Sequence, residues 1–216
     1  MGSDGTLDQQ RWSDLWAGLQ AHGNGISVFN QLSRAYSDPS RAYHNGEHIS
    51  ECLAELDGSR HLANRPDEVE AALWFHDAVY LPGALDNEVQ SSRLARSTLS
   101  DARVPQPTVD RIVALVLATA HRGLTSVPDE QLTCDIDLSI LGREPAVFEE
   151  FERRIRQEYS WVPEGVYRRE RSAVLSTFLR RSSIYQTEHF RQRYEGAART
   201  NLEHLLAQFG SPQPTA

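Results

Sequence analysis

The chain has 216 residues, with 30 acidic and 22 basic side chains and a formal net charge of −8. No lysine occurs, so every basic residue is an arginine. This balance argues against nucleic acid held on a general basic surface, although a local arginine cluster can still meet a phosphate. The length suits one ordinary globular domain with a sizeable core. The longest apolar run, 112–120, falls far short of the ~20 residues that a membrane helix needs. Met1-Gly2-Ser3-Asp4 has no charged-then-apolar leader pattern. The expectation is therefore a cytoplasmic protein without a membrane partner, with a homo-oligomer left open.

Apolar residues recur at three and four positions along most of the chain, which predicts an all-α protein. A first helix is expected over Asp8 to Ala21, with Trp12, Leu15, Trp16 and Leu19 on one face, ending at Gly23-Asn24-Gly25. A second carries Val28, Phe29, Leu32 and Tyr36 and stops before Asp38-Pro39, because the residue before a proline avoids the α region. Tyr43-His44-Asn45 leads into a third, with Ile49, Cys52, Leu53 and Leu56 inward. The next starts near Pro66-Asp67, holds His76, and breaks at Pro82-Gly83. Another runs from Asn87 to Leu99, and the apolar helix from Val109 to His121 reads as the central buried one. Asp135 to Gly142 closes a core of about residues 26–142. A C-terminal extension, about 145–209, adds helices over Ala146 to Tyr159, Val166 to Arg181 and Glu188 to Phe209, followed by a disordered tail, 211–216. The four tryptophans read as core. Cys52 and Cys134 read as small buried hydrophobes, not a disulfide.

The chemistry begins at Trp74-Phe75-His76-Asp77-Ala78-Val79-Tyr80, an apolar run interrupted by an adjacent histidine and aspartate. Burying such a pair costs several kcal/mol unless a counter-charge or a metal ion compensates. An imidazole nitrogen and a carboxylate oxygen suit Zn, Mn, Fe, Co or Ni better than Ca. His44 and His48 are four apart, so a helix there would project both rings from one face. Taken alone, that spacing fits equally a cap-region His44 and a surface His48. Asp135 and Asp137 sit in a further apolar stretch. Two histidines and two aspartates from three helices would supply four N/O ligands with room for water.

These residues resemble the HD-domain superfamily of metal-dependent phosphohydrolases, whose signature is one His, a His-Asp doublet and a distant Asp on helices around a divalent metal. His48, His76-Asp77 and Asp137 fill that order. A bacterial branch of predicted phosphohydrolases is the nearer likeness, through Arg41-Ala42-Tyr43-His44-Asn45, Trp74 to Tyr80, Asn87-Glu88 and Asp137-Leu138-Ser139-Ile140-Leu141-Gly142. Cyclic-nucleotide phosphodiesterases are more distantly similar: their Tyr-His-Asn-x-x-His element matches Tyr43 to His48, and their Asp-Leu-Ser context favours Asp137 over Asp135 as ligand. The resemblance departs at Tyr80, where those enzymes have a further His, and at Val79-Tyr80, where alarmone hydrolases have Glu-Asp.

The likeness implies an all-α HD-like bundle around one tightly held divalent ion (Mn, Mg, Co, Ni, Zn or Fe) bound by His48, His76, Asp77 and Asp137. It implies hydrolysis of a small phosphate ester, such as a nucleotide, by metal-activated water. His44 is the expected proton donor. Glu88 would orient the attacking water or brace a ligand, unless it is a solvated charge in a helix's first turn. His121 is read either as a substrate-phosphate or second-metal contact or as a partner of its own helix terminus. Tyr43 would touch substrate or lock the rotamer of a ligand, and Arg171 is the guanidinium chosen for a phosphate, although most arginines there have acidic neighbours. Two other readings remain: an HD-fold di-iron oxygenase, and a non-catalytic ligand-binding or regulatory module.

Overall fold

The computed structural model describes residues 7–210, and among these it contains ten α-helices, two 3-10 turns and no strand. The N-terminal residues 1–6, on which the leader reading rests, and the tail 211–216 lie outside the described residues. No described helix is long and apolar enough to cross a membrane. Two compact units meet at the Asp137–Leu138 bond, a few residues before the boundary expected from sequence.

The first unit holds α1 (Gln9–Gly18), α2 (Ile26–Tyr36), α3 (Gly46–Ser59), α4 (Pro66–Phe75), α5 (Asn87–Asp101), α6 (Gln106–Ala118) and α7 (Pro128–Asp137). Asp8 caps α1, accepting from the amides of Gln10 and Arg11 at 2.8 and 3.2 Å. The central helix is α4, not α6 as expected. Every residue from Glu68 to Phe75 is buried, and α1, α3, α5, α6 and α7 all pack on it. Two glutamates are taken inside by arginines from other helices. Arg111 forks onto Glu68 at 2.7 and 2.6 Å, while Arg11 and Arg60 share Glu70 at 2.8 and 2.6 Å. Those pairs let acidic positions face the interior, and the apolar stripe that would have marked α4 is thereby obscured. Trp12 packs edge-on against Trp74, with ring centroids 5.2 Å apart. Cys52 and Cys134 are buried, and no disulfide joins them.

The second unit holds a 3-10 turn (Leu138–Gly142), α8 (Pro145–Glu158), α9 (Glu164–Leu179) and α10 (Glu188–Gly210). Gly142 is required by close approach: a Cβ there would lie 2.6 Å from Tyr194 Cβ and 2.8 Å from its carbonyl oxygen. Tyr185 donates its hydroxyl to the Leu138 carbonyl at 3.0 Å, and Asn201 donates to Leu141 and Arg143, each at 2.9 Å. These bonds draw the 3-10 turn into the second unit. Trp161, expected in the core, is 68% exposed in the turn between α8 and α9, stacked on Tyr159.

Candidate metal centre

Three segments of the first unit bring the candidate ligands together. Asn45 caps α3, its side-chain oxygen accepting from the amides of Glu47 at 2.9 Å and His48 at 3.4 Å. That cap places His48 in the first turn of α3, buried and facing α4. It also corrects the expectation that His44 and His48 share a helix, since His44 lies in the turn before the cap. The doublet is likewise not within a helix that runs to Pro82. The helix ends at Phe75, and His76 is its C-cap. Asp137 is the last residue of α7, a helix whose mixed composition hid it from sequence reading.

Four side-chain atoms converge. His48 Nε2 and His76 Nε2 are 3.1 Å apart. Asp77 Oδ2 lies 3.1 Å from His76 Nε2 and 3.6 Å from His48 Nε2. Asp137 Oδ1 lies 3.3 and 3.5 Å from His48 Nε2 and His76 Nε2. Ligand atoms about 2.0–2.2 Å from one divalent ion, at tetrahedral or octahedral angles, must themselves be roughly 3.0–3.5 Å apart. The observed spacing fits that requirement.

Ring orientation fits it too. His76 Nδ1 is 2.9 Å from the Leu73 carbonyl, which can only accept, so Nδ1 carries a proton and Nε2 is the nitrogen turned toward the cluster. Burial disfavours a charged His76, yet Asp77 and Asp137 outweigh burial and raise its pKa well above the usual value. Burial also opposes charge on both aspartates. Asp77 is nevertheless held well below the ordinary carboxyl range by His76, His44 and His48, and Asp137 by His121, His48 and His76. Two carboxylates and neutral imidazoles would leave two negative charges in a buried place, which a divalent cation cancels.

Cys52 also belongs to the neighbourhood. One donor atom from each of His48, Cys52, His76 and Asp137 falls within 4.8 Å of every other, a buried group close enough to hold a metal ion. Cys52 was read only as packing, although its i+4 spacing from His48 was a visible signal. Its Sγ is 3.8 Å from both ring nitrogens of His48.

The surrounding residues divide into those tied to the cluster and those that are not. His121, just past α6 with φ +51, donates from Nε2 to Asp137 Oδ2 at 2.8 Å, so it orients a carboxylate of the cluster. His44 is half-buried, stacked on Tyr80 with centroids 3.9 Å apart, and edge-on to His48 at 6.1 Å. Tyr43 is buried, with its ring 4.8 Å from that of His48. Asp135 is fully buried and contributes no atom to the convergent set. Glu88 lies half-buried in the first turn of α5. Its neighbours make the ties to the doublet's loop instead: Asn87 bonds both polar groups of the Leu81 backbone at 3.0 and 3.1 Å, and Ser91 does the same for Val79. Arg171 is in the second unit, where its guanidinium is committed to a forked pair with buried Glu152 and to the Phe151 ring. The fork expected for a phosphate is thus filled by a carboxylate. No family model, curated protein or solved structure matches the chain.

Proposed function

We propose that the chain is a metal-dependent phosphohydrolase of the HD type, acting on a small phosphate ester such as a nucleotide. The observation that carries this reading is that Asp77 Oδ2 and Asp137 Oδ1 each approach both His48 Nε2 and His76 Nε2, at 3.1–3.6 Å, with the two nitrogens 3.1 Å apart. Asp77 is preferred to Cys52 as the fourth ligand because its oxygen comes closer to His48 Nε2, at 3.6 against 3.8 Å, and because burial pushes the Cys52 thiol up, away from the thiolate that binds metal. When bound, a divalent ion supplies Lewis acidity, acidifying water and polarising a phosphoryl oxygen.

The side chains do the rest. The Leu73 carbonyl accepts from His76 Nδ1 and so aims Nε2 at the cluster, where a bound ion would take the place of an Nε2 proton. His121 fixes the rotation of Asp137. His44 sits beside the ligands without a direct nitrogen in the convergent set, and its half-exposed ring donates a proton to the leaving alkoxide. Tyr80 holds that ring by stacking. Tyr80 stands where better-known relatives place a further histidine, which favours one tightly held ion.

The test is metal analysis of the purified protein, then a phosphate-release screen over nucleotides, cyclic nucleotides and phosphosugars with Mn, Mg, Co and Ni. Release confined to one substrate class, dependent on metal, is the expected result. Two irons per chain with oxygen-dependent turnover would replace hydrolysis by oxidation.

A further inference from the structure

We infer that Arg41 is a positioning residue that locks the His76-Asp77 doublet and the His44 turn into one unit; the inference rests on the metal-centre reading above. The case comes from main-chain acceptors around the doublet, which need partners where water is excluded. Ala72 accepts from the His76 amide, Leu73 from the His76 ring, Trp74 from the Tyr36 hydroxyl and Phe75 from the Ala78 amide. Val79 and Leu81 go to Ser91 and Asn87. The carbonyls of Asp77 and Ala78 go to Arg41, whose Nη1 and Nη2 donate at 2.6 and 3.2 Å. The same Nη1 reaches the His44 carbonyl at 3.3 Å.

A single guanidinium therefore holds the peptide that follows the Asp77 ligand and the peptide that carries the proton donor. Its charge faces the carbonyl-rich end of α4, where a cation is favoured. The rings of Tyr36 and Tyr80, 5.5 and 5.7 Å from its central carbon, keep the planar group in place. Fixing the 77–78 peptide plane fixes the direction in which the Asp77 carboxylate leaves the chain. Tying His44 to that plane sets the donor's position against the ligands. A lysine ammonium has no second nitrogen for the Ala78 carbonyl and no planar group to lie between the two tyrosine rings, so it cannot reproduce the full set of contacts.

The experiment compares Arg41→Met and Arg41→Lys with the unaltered protein. Three readouts are taken: amide hydrogen exchange over 77–81 without metal, the dissociation constant for Mn2+, and the response of both to guanidinium chloride below its unfolding range. Arg41→Met is expected to speed exchange over 77–81 by about tenfold or more while α6 keeps its protection. Its Mn2+ dissociation constant is expected to rise about 10–100-fold. Guanidinium should restore both properties where sodium does not, and Arg41→Lys should resemble Arg41→Met.

Unchanged exchange and unchanged Mn2+ binding in Arg41→Met would overturn the inference. So would an equal loss of protection throughout the first unit, which is what a plain fold stabiliser gives, or full function in Arg41→Lys. If the unaltered protein binds no divalent ion, the metal reading fails. The exchange and rescue arms then decide the role of Arg41 by themselves.

Discussion

In the second unit the buried Glu152 meets one guanidinium, that of Arg171, and the two charges cancel within the fold. In the first unit Asp77 and Asp137 meet imidazoles, which carry charge only when protonated, and no guanidinium reaches either carboxylate group in the bonds and ion pairs described. The nearest arginine, Arg41, spends its donors on main-chain carbonyls. Glu68 and Glu70, on the same α4 that ends at the doublet, are matched by arginines as Glu152 is. Arginine pairing is thus how the fold buries Glu68, Glu70 and Glu152, whereas Asp77 and Asp137 lack it; buried Asp129 is held in a third way, by the main-chain amides of Asn64 and Arg65. Leaving two acids short of fixed positive charge is costly for stability alone and useful for capturing a cation.

The largest expected effect breaks that contrast at its centre. His76→Ala or Asp77→Ala should abolish stoichiometric metal and phosphate release together, read by metal analysis and a turnover assay; full occupancy in either variant would put the site elsewhere. His44→Ala should keep the metal and slow turnover by about 10²–10⁴, the usual worth of a general acid. Loss of metal in that variant would make His44 a ligand.

Arg171→Met tests the other side. It should destabilise the protein by about 3–5 kcal/mol in denaturant unfolding, because Glu152 is left buried without its partner, while metal binding is unchanged. Replacing Glu152 and Arg171 together by apolar residues should recover much of that stability. His121→Ala should have the smallest effect of the four, weakening metal binding about 10–100-fold without removing it, since the residue orients Asp137 rather than replacing it. Measured affinity equal to that of the unaltered protein would reduce His121 to a helix-terminus contact.

The helical class and most boundaries were legible because the apolar period of α1, α2, α3 and α8 is strong and the stops are explicit, as at Asp38-Pro39. Two features escaped for physical reasons. In α4 the ion pairs of Glu68 and Glu70 put acids on inward positions, so α6 looked more central. In α7 only a few apolar residues mark the buried side, and Asp129, Thr133 and Asp135 are buried among them. At the site, His48, His76, Asp77 and Asp137 stood out because ionisable residues interrupt apolar runs. The helical placement of His44 failed because Asn45 accepts the first amides of α3 and starts the helix one residue after itself. Arg41, Asn87 and Ser91 left no pattern to read. They act on the main chain of distant segments, and main-chain carbonyls look alike in every sequence.

The burial of α4 right up to its cap has a consequence for how this protein tolerates substitution. Phe75 is fully enclosed and His76 follows it by one peptide bond, with the Leu73 carbonyl as the hydrogen-bond partner of the ring. No loop lies between the core and the doublet to absorb a displacement. A repacking of Leu73 or Phe75 that costs little in unfolding free energy will still shift the imidazole, so the geometry of the cluster is more sensitive to this helix than the persistence of the fold is.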